Sequence, residues 1–401
     1  MPRTAWLDID LEALATNLAA LTELAGDVPV YPVVKANAYG HGAVEVAAAL
    51  EAAGAGGFCV ATLDEAAQLR GAGIRAAILI LYPIPAWQAA AAGHLGVAVT
   101  AGDTALLEEL LAAVPSTSTE PLEIHLEVET GLGRGGFIAT ELPAAATRIR
   151  ETQGVRLVSA WTHLQAAEDA DRTGRQLERF EEATAALRSA GHDLPRHVAA
   201  SGGILTGNVA SLDAVRPGLA IYGLVPDELL EDARVAHRAG GAKLRAVMSL
   251  HARPVRVRDL PSGWGIGYGP SFVTARLSRI ATLPLGYGDG WSRALSNRAW
   301  ALVRETRVPI VGNVAMDAVM VDVTDVPGEP VSTADEFVLL GRQGTAAITA
   351  ADLAAARGTN SWEVVTAMAA RLPRVYHARS GPQGIRTLVS DMGPRTRSTR
   401  S

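Results

Sequence analysis

The chain has 401 residues, of which 48% are hydrophobic and 19% are charged, and its formal net charge is -6. This length allows two domains with a substantial core, and the negative charge provides no basic face for nucleic acid. The single cysteine, Cys59, cannot form an internal disulfide, and no apolar run approaches the roughly 20 residues of a membrane span. We therefore expect a cytoplasmic protein without a signal peptide, a membrane partner or a nucleic-acid partner.

The first half of the chain alternates between apolar segments and Ala-rich segments with helical spacing. After a short strand at 4–10, with Asp10 as the N-cap of a helix, the candidate strands are 28–35, 56–62, 76–82, 96–100, 122–129, 155–163, 197–201 and 214–222. The candidate helices between them are 44–53, 64–72, 106–113, 142–149 and 175–190, and the segment 203–213 is weak as a helix.

This alternation predicts a (β/α)8 barrel in preference to an open doubly wound sheet. A barrel active site uses the C-terminal ends of several strands. Polar residues of unusual type collect at these ends, namely Lys35, Arg134, His163, Ser201 and Arg216.

Beyond the barrel the helical rhythm stops, and short apolar runs broken by Pro and Gly predict a smaller, mostly β domain with one helix at 362–370. The predicted organisation is an N-terminal strand at 1–10 that packs with the C-terminal domain, a barrel at 11–224, a polar linker at 225–242, a β-rich domain at 243–380 and a mobile tail at 381–401.

Lys35 is the first candidate for chemistry, because the chain contains only two lysines, Lys35 and Lys243. A neutral lysine amine is a nucleophile for carbonyl carbon, whereas arginine stays protonated. Lys35 follows the apolar run 30–34, and desolvation at the end of a buried strand would favour the neutral amine.

The ends of the last two predicted strands are rich in glycine and provide a second candidate site. Ser201-Gly202-Gly203 ends strand seven, and Arg216-Pro217-Gly218-Leu219 lies in strand eight. Barrels often bind phosphate in these two loops, where glycine lets backbone N–H groups approach an anion. Either string alone is more typical of a turn, but with Lys35 on the same rim they favour a ligand with an aldehyde and a phosphate, pyridoxal phosphate.

The stretch 33–42, Val-Val-Lys-Ala-Asn-Ala-Tyr-Gly-His-Gly, resembles the cofactor-lysine motif of the alanine racemases, which are fold-type III pyridoxal-phosphate enzymes. The resemblance continues in chain order through 131–134, 162–164, 216–218, 267–269, 285–290 and 316–317. Each string is short, and their order along nearly the whole chain makes the resemblance specific.

The resemblance implies a racemase that interconverts L- and D-alanine with two bases. Lys35 would bond the cofactor as an imine and exchange the α-proton on one face, and Tyr268 would act on the opposite face. The resemblance also implies that His163 assists Tyr268 and is bonded to Arg216, which faces the pyridine nitrogen.

Further roles follow from the same resemblance. Arg134 would contact the cofactor phenolate and the substrate carboxylate, and Met316 with Asp317 would also meet the substrate. The phosphate would be bound by Tyr39, Ser201, Gly218, Leu219 and Trp362. The family arrangement implies a homodimer in which Tyr268 completes the partner's site, no metal, and D-alanine made for the cell wall or another pathway.

Several positions depart from the family pattern. Glu127 occupies the place of a lysine that is often carbamylated, so its carboxylate could supply the anion beside Arg134 directly. Other departures lie at the rim of the pocket: Trp362, Asn360, Ala315, Asn313 and Ala200. These departures leave the chemistry intact and put the preferred amino acid in question.

Three alternatives stay open from the sequence. The rim changes permit a racemase for a larger or more polar amino acid such as serine. A non-catalytic pyridoxal-phosphate carrier would share the barrel and Lys35, but Tyr268 on a second domain argues against it. The string Gly-Leu-Gly-Arg-Gly-Gly at 131–136 also fits a dinucleotide-binding turn, although no acidic residue follows on a next strand.

Overall fold

The computed structural model describes residues 3–115, 120–241, 244–379, 381–388 and 391–392. The chain separates into two compact units, a barrel unit (Leu14–Ala38 and Ala43–Arg245) and a β unit (Met1–Ala13, Tyr39–Gly42 and Ala246–Ser401). None of the helices in the described ranges combines the length and apolar character that a membrane crossing requires.

The helices are α1 (Leu11–Ala25), α2 (Lys35–Tyr39), α3 (Ala43–Ala52), α4 (Leu63–Gly71), α5 (Ala89–His94), α6 (Thr104–Ala113), α7 (Leu142–Glu151), α8 (Ala170–Ser189), α9 (Ser201–Thr206), α10 (Ala233–Gly241), α11 (Ala350–Arg357) and α12 (Ser361–Thr366). The strands in the first half of the chain are β1 (Ala5–Asp10), β2 (Gly57–Val60), β3 (Ala77–Ile80), β4 (Ala98–Ala101), β5 (Leu122–Glu127), β6 (Val155–Trp161), β7 (Arg196–Ala200) and β8 (Ala214–Arg216). Those in the second half are β9 (Met248–Ala252), β10 (Arg256–Leu260), β11 (Ser278–Leu283), β12 (Trp300–Val303), β13 (Thr306–Pro309), β14 (Val319–Asp322), β15 (Phe337–Gln343), β16 (Ala346–Ile348), β17 (Arg374–Ala378), β18 (Gly381–Arg386) and β19 (Asp391–Met392).

The barrel unit is built on seven parallel strands, β2 to β8, hydrogen-bonded in chain order. The segment before Lys35 closes the ring, because Val30 forms a parallel bridge with β8 and Val33 forms one with β2. Pro29 and Pro32 have no N–H to donate to a ladder, so the predicted strand 28–35 is reduced to these bridges. The predicted (β/α)8 barrel is confirmed, and its first strand position, residues 30–34, is irregular.

The end of the barrel also differs from the prediction. The predicted strand 214–222 ends at Arg216, because Pro217 cannot donate to the sheet, and Leu219–Tyr222 forms a 3-10 helix. The weak seventh connection contains the six-residue helix α9, which ends at Gly207 with a φ of 70°. Glycine adopts this left-handed conformation readily and is the usual helix terminator.

The barrel core explains why the strands are nearly continuous apolar runs. Phe58, Cys59 and Val60 of β2 are fully buried, as expected for a parallel strand covered on both faces. The helix α6 buries Leu107 and Leu111 on its inner face. Each fully buried aliphatic side chain stabilises the fold by about 1.5–3 kcal/mol.

The β unit contains two sheets. In the larger sheet the strand order is β13-β12-β15-β9-β1-β17-β18-β19, with β16 paired to β15. The N-terminal strand β1 is therefore central, parallel to β17 and antiparallel to β9. The smaller sheet, β10-β11-β14, has a core of Leu260, Ile266, Ile280 and Val311.

Several predicted boundaries change. The segment 225–242 includes α10 and groups with the barrel unit. The predicted helix at 362–370 is present as the shorter α12, which ends at Thr366, and α11 before it is an additional helix that the sequence analysis does not predict. The predicted tail at 381–401 is wrong at its start, because Gly381–Arg386 pairs with β17; residues 393–401 lie outside the described ranges.

Candidate active site

Lys35 begins a turn with unusual backbone geometry. Ala36, Asn37 and Ala38 have φ angles of 51°, 56° and 53°, and Tyr39 has a φ of 50°. The turn is therefore left-handed, which costs a residue with a Cβ roughly 1–2 kcal/mol. Such strain persists only where surrounding contacts fix the backbone, and it is common at functional sites.

An aromatic ring lies between Lys35 and Arg134. The Lys35 Nζ is 5.4 Å from the centroid of the Tyr82 ring, and the Arg134 Cζ is 5.0 Å from it. Arg134 also donates a hydrogen bond of 3.3 Å to the Tyr82 hydroxyl. Tyr82 is not among the predicted site residues, although its position at the C-terminal end of the third predicted strand is a signal for it.

Glu127 at the end of β5 provides the anion next to Arg134. The Arg134 guanidinium lies 3.3 Å from Glu127 Oε1, and Glu127 is only 5% exposed. Burial raises the pKa of the Glu127 carboxyl, while the positive charge of Arg134 opposes that rise. The structure thus brings together the carboxylate and the arginine that the sequence pairs.

The loop between β5 and α7 has no dinucleotide-binding geometry. Backbone N–H groups of Gly131 and Gly133 donate to the Glu129 carboxylate, and Phe137 returns to bond the backbone of Glu127. The next helix begins only at Leu142. The glycines therefore do not open a helix, as a dinucleotide-binding turn requires.

A buried glutamine joins this loop to the loop after β6. Gln176 of α8 is 2% exposed, and its Nε2 donates to Thr130 Oγ1 at 3.1 Å and to the His163 carbonyl at 3.3 Å. Its Oε1 accepts from the Gln165 N–H at 2.9 Å. Gln176 therefore fixes the backbone next to His163, a role that the sequence alone did not indicate.

Arg216 is buried at the end of β8 and bonds to a different histidine from the one predicted. It donates to His197 Nδ1 and, at 2.8 Å, to the Thr162 carbonyl. Among the described residues Arg216 therefore bonds His197 and not His163, and the prediction of an Arg216–His163 bond is wrong. The reason is that β8 pairs with β7, the strand that carries His197. Burial lowers the pKa of Arg216 to about 10, so it remains protonated at neutral pH.

A chain of hydrogen bonds fixes the tautomer of His197. Arg216 can only donate, so His197 Nδ1 accepts and its Nε2 carries the proton. That nitrogen is 2.9 Å from Ser159 Oγ, which is 2.6 Å from His125 Nδ1. Burial, and then the charge of Arg216, lower the pKa of His125 to about 3 and that of His197 well below its ordinary value. Both rings are therefore neutral. This agrees with a chain in which Arg216 donates to His197, His197 donates to Ser159 and Ser159 donates to His125.

His163 follows β6 and is also uncharged at neutral pH. Burial is the main cause of its lowered pKa, about 3, and the positive charges of Arg216, Arg134 and Lys35 lower it further. A neutral imidazole can accept a proton or a hydrogen bond at one nitrogen and donate at the other.

Ser201 forms the centre of the predicted phosphate cradle. Its Oγ accepts from the Gly218 N–H at 3.0 Å and from the Ala220 N–H at 3.1 Å. These two bonds occupy both lone pairs of the hydroxyl, so its remaining capacity is to donate its proton. The side chain therefore ties the loops after β7 and β8 together and presents a donor suited to an anion.

The β unit holds Tyr268 on a loop in which its side chain is 80% exposed. Asn313 Nδ2 donates to the Tyr268 carbonyl at 2.9 Å and to the Gly269 carbonyl at 3.0 Å. Asn313 in turn accepts from the Ser271 hydroxyl at 3.2 Å. The departure at Asn313 therefore anchors the backbone of the predicted opposite-face tyrosine.

Met316 and Asp317 lie in a second loop of the β unit. The Met316 carbonyl accepts from the Gly288 N–H at 2.9 Å, and a Cβ at Gly286 would lie 2.6 Å from that carbonyl oxygen. Asp317 pairs with Arg371. Glycine is thus required at 286 for the two backbones to approach, and the Met316 side chain is half exposed.

Of the remaining predicted residues, Leu219 is buried in the barrel unit, and the others belong to the β unit. Tyr39 is buried at the end of the left-handed turn, and Trp362 is half-buried on α12. Asn360 is the N-cap of α12, since its Oδ1 accepts from the Glu363 N–H at 3.0 Å. Asn360 therefore has a structural role apart from any contact with substrate.

In the described part of the chain no cluster of three or more His, Cys, Asp or Glu side chains is suited to a metal ion. A (β/α)8 barrel with a rim lysine, a buried protonated arginine and a hydroxyl–amide anion cradle is typical of the fold-type III class of pyridoxal-phosphate proteins. Two family models match, the alanine racemase N-terminal domain at residues 9–226 and the alanine racemase C-terminal domain at residues 247–376. The chain belongs to the alanine racemase family.

Curated relatives and solved structures agree with this assignment. The chain is 38% identical to alanine racemase 2 of Caldanaerobacter subterraneus subsp. tengcongensis, over 93% of this chain and 95% of the relative. It is 39% identical to the alanine racemase of Symbiobacterium thermophilum, over 93% and 97%. The alanine racemase of Bacillus anthracis with bound L-Ala-P superposes with a TM-score of 0.87 at 31% identity, covering 98% of both chains.

Proposed function

We propose that this protein interconverts L- and D-alanine with pyridoxal phosphate bonded to Lys35. The observation that carries the proposal is the set of groups within the barrel unit: the Lys35 amine beside Tyr82 and Arg134, and the Ser201 cradle between the loops after β7 and β8. The family supports the same reaction.

The residues present fit the cofactor. An aldehyde requires an amine, which Lys35 supplies. A phosphate requires hydrogen-bond donors, and the Ser201 hydroxyl is one, because its Oγ already accepts from the Gly218 and Ala220 N–H groups and keeps its proton to donate. Arg216 offers a permanent positive charge for a ring nitrogen. Tyr39, Gly218, Leu219 and Trp362 are proposed as further cofactor contacts. Pyridoxal phosphate, when bound, withdraws electron density from the substrate α-carbon and so makes its proton removable.

Two bases then move the α-proton. Lys35 takes or returns a proton on one face of the substrate, and Tyr268 does so on the other. Arg134, held by Glu127, binds the substrate carboxylate. Met316 and Asp317 are proposed as further substrate contacts on the family pattern. The neutral His163 ring is a suitable partner for a phenol that gains and loses a proton.

We further propose a homodimer in which each Tyr268 serves the partner's site. The 80% exposed side chain of Tyr268 supports this, because a phenol open to solvent is available to a second copy. Mixing Lys35→Ala with Tyr268→Phe protein under subunit exchange should restore activity, since one of the two sites in a mixed dimer is intact. No restoration in a mixture that demonstrably exchanges subunits would contradict shared sites.

The substrate proposal favours alanine over a polar amino acid. Asn360 commits its side-chain oxygen to capping α12, which explains this departure without a polar substrate. The product would be D-alanine, with the cell wall as its proposed use and the cytoplasm as its proposed compartment.

The test is a chiral assay of purified protein with pyridoxal phosphate and either L-alanine or L-serine. We expect D-alanine, and faster turnover of alanine than of serine. Lys35→Ala should abolish turnover, whereas Lys243→Ala, the matched change at the other lysine, should not. A cofactor-loaded protein that racemises neither substrate would support a non-catalytic carrier, and preference for serine would overturn the alanine proposal.

A further inference from the structure

The left-handed turn after Lys35 contains no glycine, so an external contact has to hold it. Ala36, Asn37, Ala38 and Tyr39 all have positive φ angles. Within the segment, the Ala38 N–H bonds to the Val34 carbonyl at 2.8 Å. The backbone of Ala36, directly beside the lysine, has a different partner.

That partner is Glu65, a residue of α4. Its Oε1 accepts from the Ala36 N–H at 2.6 Å, and its Oε2 accepts from the Ala61 N–H at 2.7 Å. One carboxylate thus bridges the turn after the first strand segment of the barrel and the residue that follows β2. The Glu65 bridge continues the backbone hydrogen bonds between this segment and β2, in which the Val34 N–H donates to the Cys59 carbonyl at 2.8 Å.

At the N-terminus of α4 this bridge replaces one half of a capping box. Thr62 is the N-cap and accepts from the Glu65 N–H at 3.3 Å. A glutamate at this third position usually reaches back to the N-cap N–H to form a capping box. Here both carboxylate oxygens are used on Ala36 and Ala61 instead. The side chain therefore gives up a local role for one at the lysine.

We propose that Glu65 is a positioning residue for Lys35, whose carboxylate holds the left-handed turn and thereby the direction of the lysine amine. The inference deepens the proposed function and rests on it for its catalytic consequence. Asn37 supports the same turn, because its Oδ1 accepts from the Ala43 N–H at 2.9 Å. Glu65 is distinct in that it bonds the residue next to the amine.

A graded set of variants tests the proposal in the full-length, cofactor-loaded protein. Glu65→Ala removes both bonds, and Glu65→Gln keeps one acceptor oxygen while its amide NH2 would face a backbone N–H. Asp64→Asn is the matched control, since Asp64 lies in the same helical turn and is exposed. The Asp64→Asn variant loses one negative charge, as Glu65→Gln does, and leaves the hydrogen bonds to Ala36 and Ala61 unchanged.

Two readouts separate positioning from general stability. The first is amide hydrogen exchange of the peptide that contains residues 33–42, which reports the turn without any catalysis. The second is the fraction of Lys35 trapped with pyridoxal phosphate by borohydride, measured with kcat and KM. Loss of charge-assisted bonds should speed exchange and lower kcat roughly tenfold or more in Glu65→Ala. Glu65→Gln should be intermediate, and Asp64→Asn should match the wild type.

The outcomes decide between this inference and the proposed function. Unchanged exchange at the turn in Glu65→Ala would overturn the inference whether or not the wild type is active. Normal trapping and kcat in Glu65→Ala, with an active wild type, would also overturn it. A wild type that traps no cofactor would instead overturn the proposed function. If Glu65→Ala does not fold, Glu65→Gln decides: behaviour identical to Asp64→Asn refutes the positioning role.

Discussion

Replacing Glu127 by glutamine tests whether its carboxylate substitutes for a carbamylated lysine. The change keeps the size and one acceptor oxygen and removes the charge that faces Arg134 at 3.3 Å. Glu127 is buried, but the Arg134 side chain is 38% exposed, so solvent screens part of the interaction. We therefore expect a loss between that of an exposed pair and that of a charged buried hydrogen bond, about 1–2 kcal/mol.

That loss corresponds to a roughly 5–30-fold change in an equilibrium constant. Because Arg134 is assigned to the substrate carboxylate, it should appear mainly as a higher KM for alanine, with weaker cofactor binding as a second route. The matched control is Glu123→Gln, which makes the same change on the same strand at a residue paired with exposed Arg156. Steady-state kinetics that are the same for the two variants would refute the role assigned to Glu127.

Three further predictions follow from individual contacts. Ser201→Ala should weaken pyridoxal-phosphate binding roughly tenfold or more, because a donor to a charged phosphate is lost; equilibrium dialysis giving an unchanged Kd would contradict the cradle. Asn313→Ala should lower kcat while leaving cofactor affinity unchanged, since it frees the loop of Tyr268; an unchanged kcat would count against that anchoring. His125 and His163 have folded pKa values of about 3, so the unfolded chain binds protons first as the pH falls below the ordinary value of 6.5. Above that pH the two neutral rings impose no such cost, and at pH 5.5 each should lower the free energy of unfolding by about 1–2 kcal/mol. Urea unfolding at pH 7.5 and 5.5 measures the drop, which should shrink in His163→Asn; an equal drop in that variant would refute the assignment.

The barrel was predictable because its periodicity is strong and its polar residues mark the strand ends. Lys35, Arg134, Ser201 and Arg216 could be found this way, since each ends or follows a buried run. The irregularity of the first strand segment is harder to predict, because its apolar pattern is typical of a strand, whereas Pro29 and Pro32 remove two backbone donors from the hydrogen bonds to its neighbours.

The contacts between strands distant in sequence could not be predicted. The choice of His197 over His163 as the partner of Arg216 depends on which strands are neighbours and on the register between them. Gln176 lies in a helical segment whose sequence is ordinary, and the position of Tyr82 at a strand end does not reveal its contact with Arg134. The left-handed turn was equally hidden, because alanine gives no sign of a positive φ and its partner Glu65 lies on another helix.

The covalent bond between Lys35 and pyridoxal phosphate is the feature on which the proposed activity depends most. Borohydride reduction of the loaded protein, followed by peptide mapping by mass spectrometry, measures it directly, since Lys35 and Lys243 are the only lysines. We predict that the added cofactor mass falls on the peptide that contains Lys35. Its appearance on the Lys243 peptide, or on neither, would contradict the central claim.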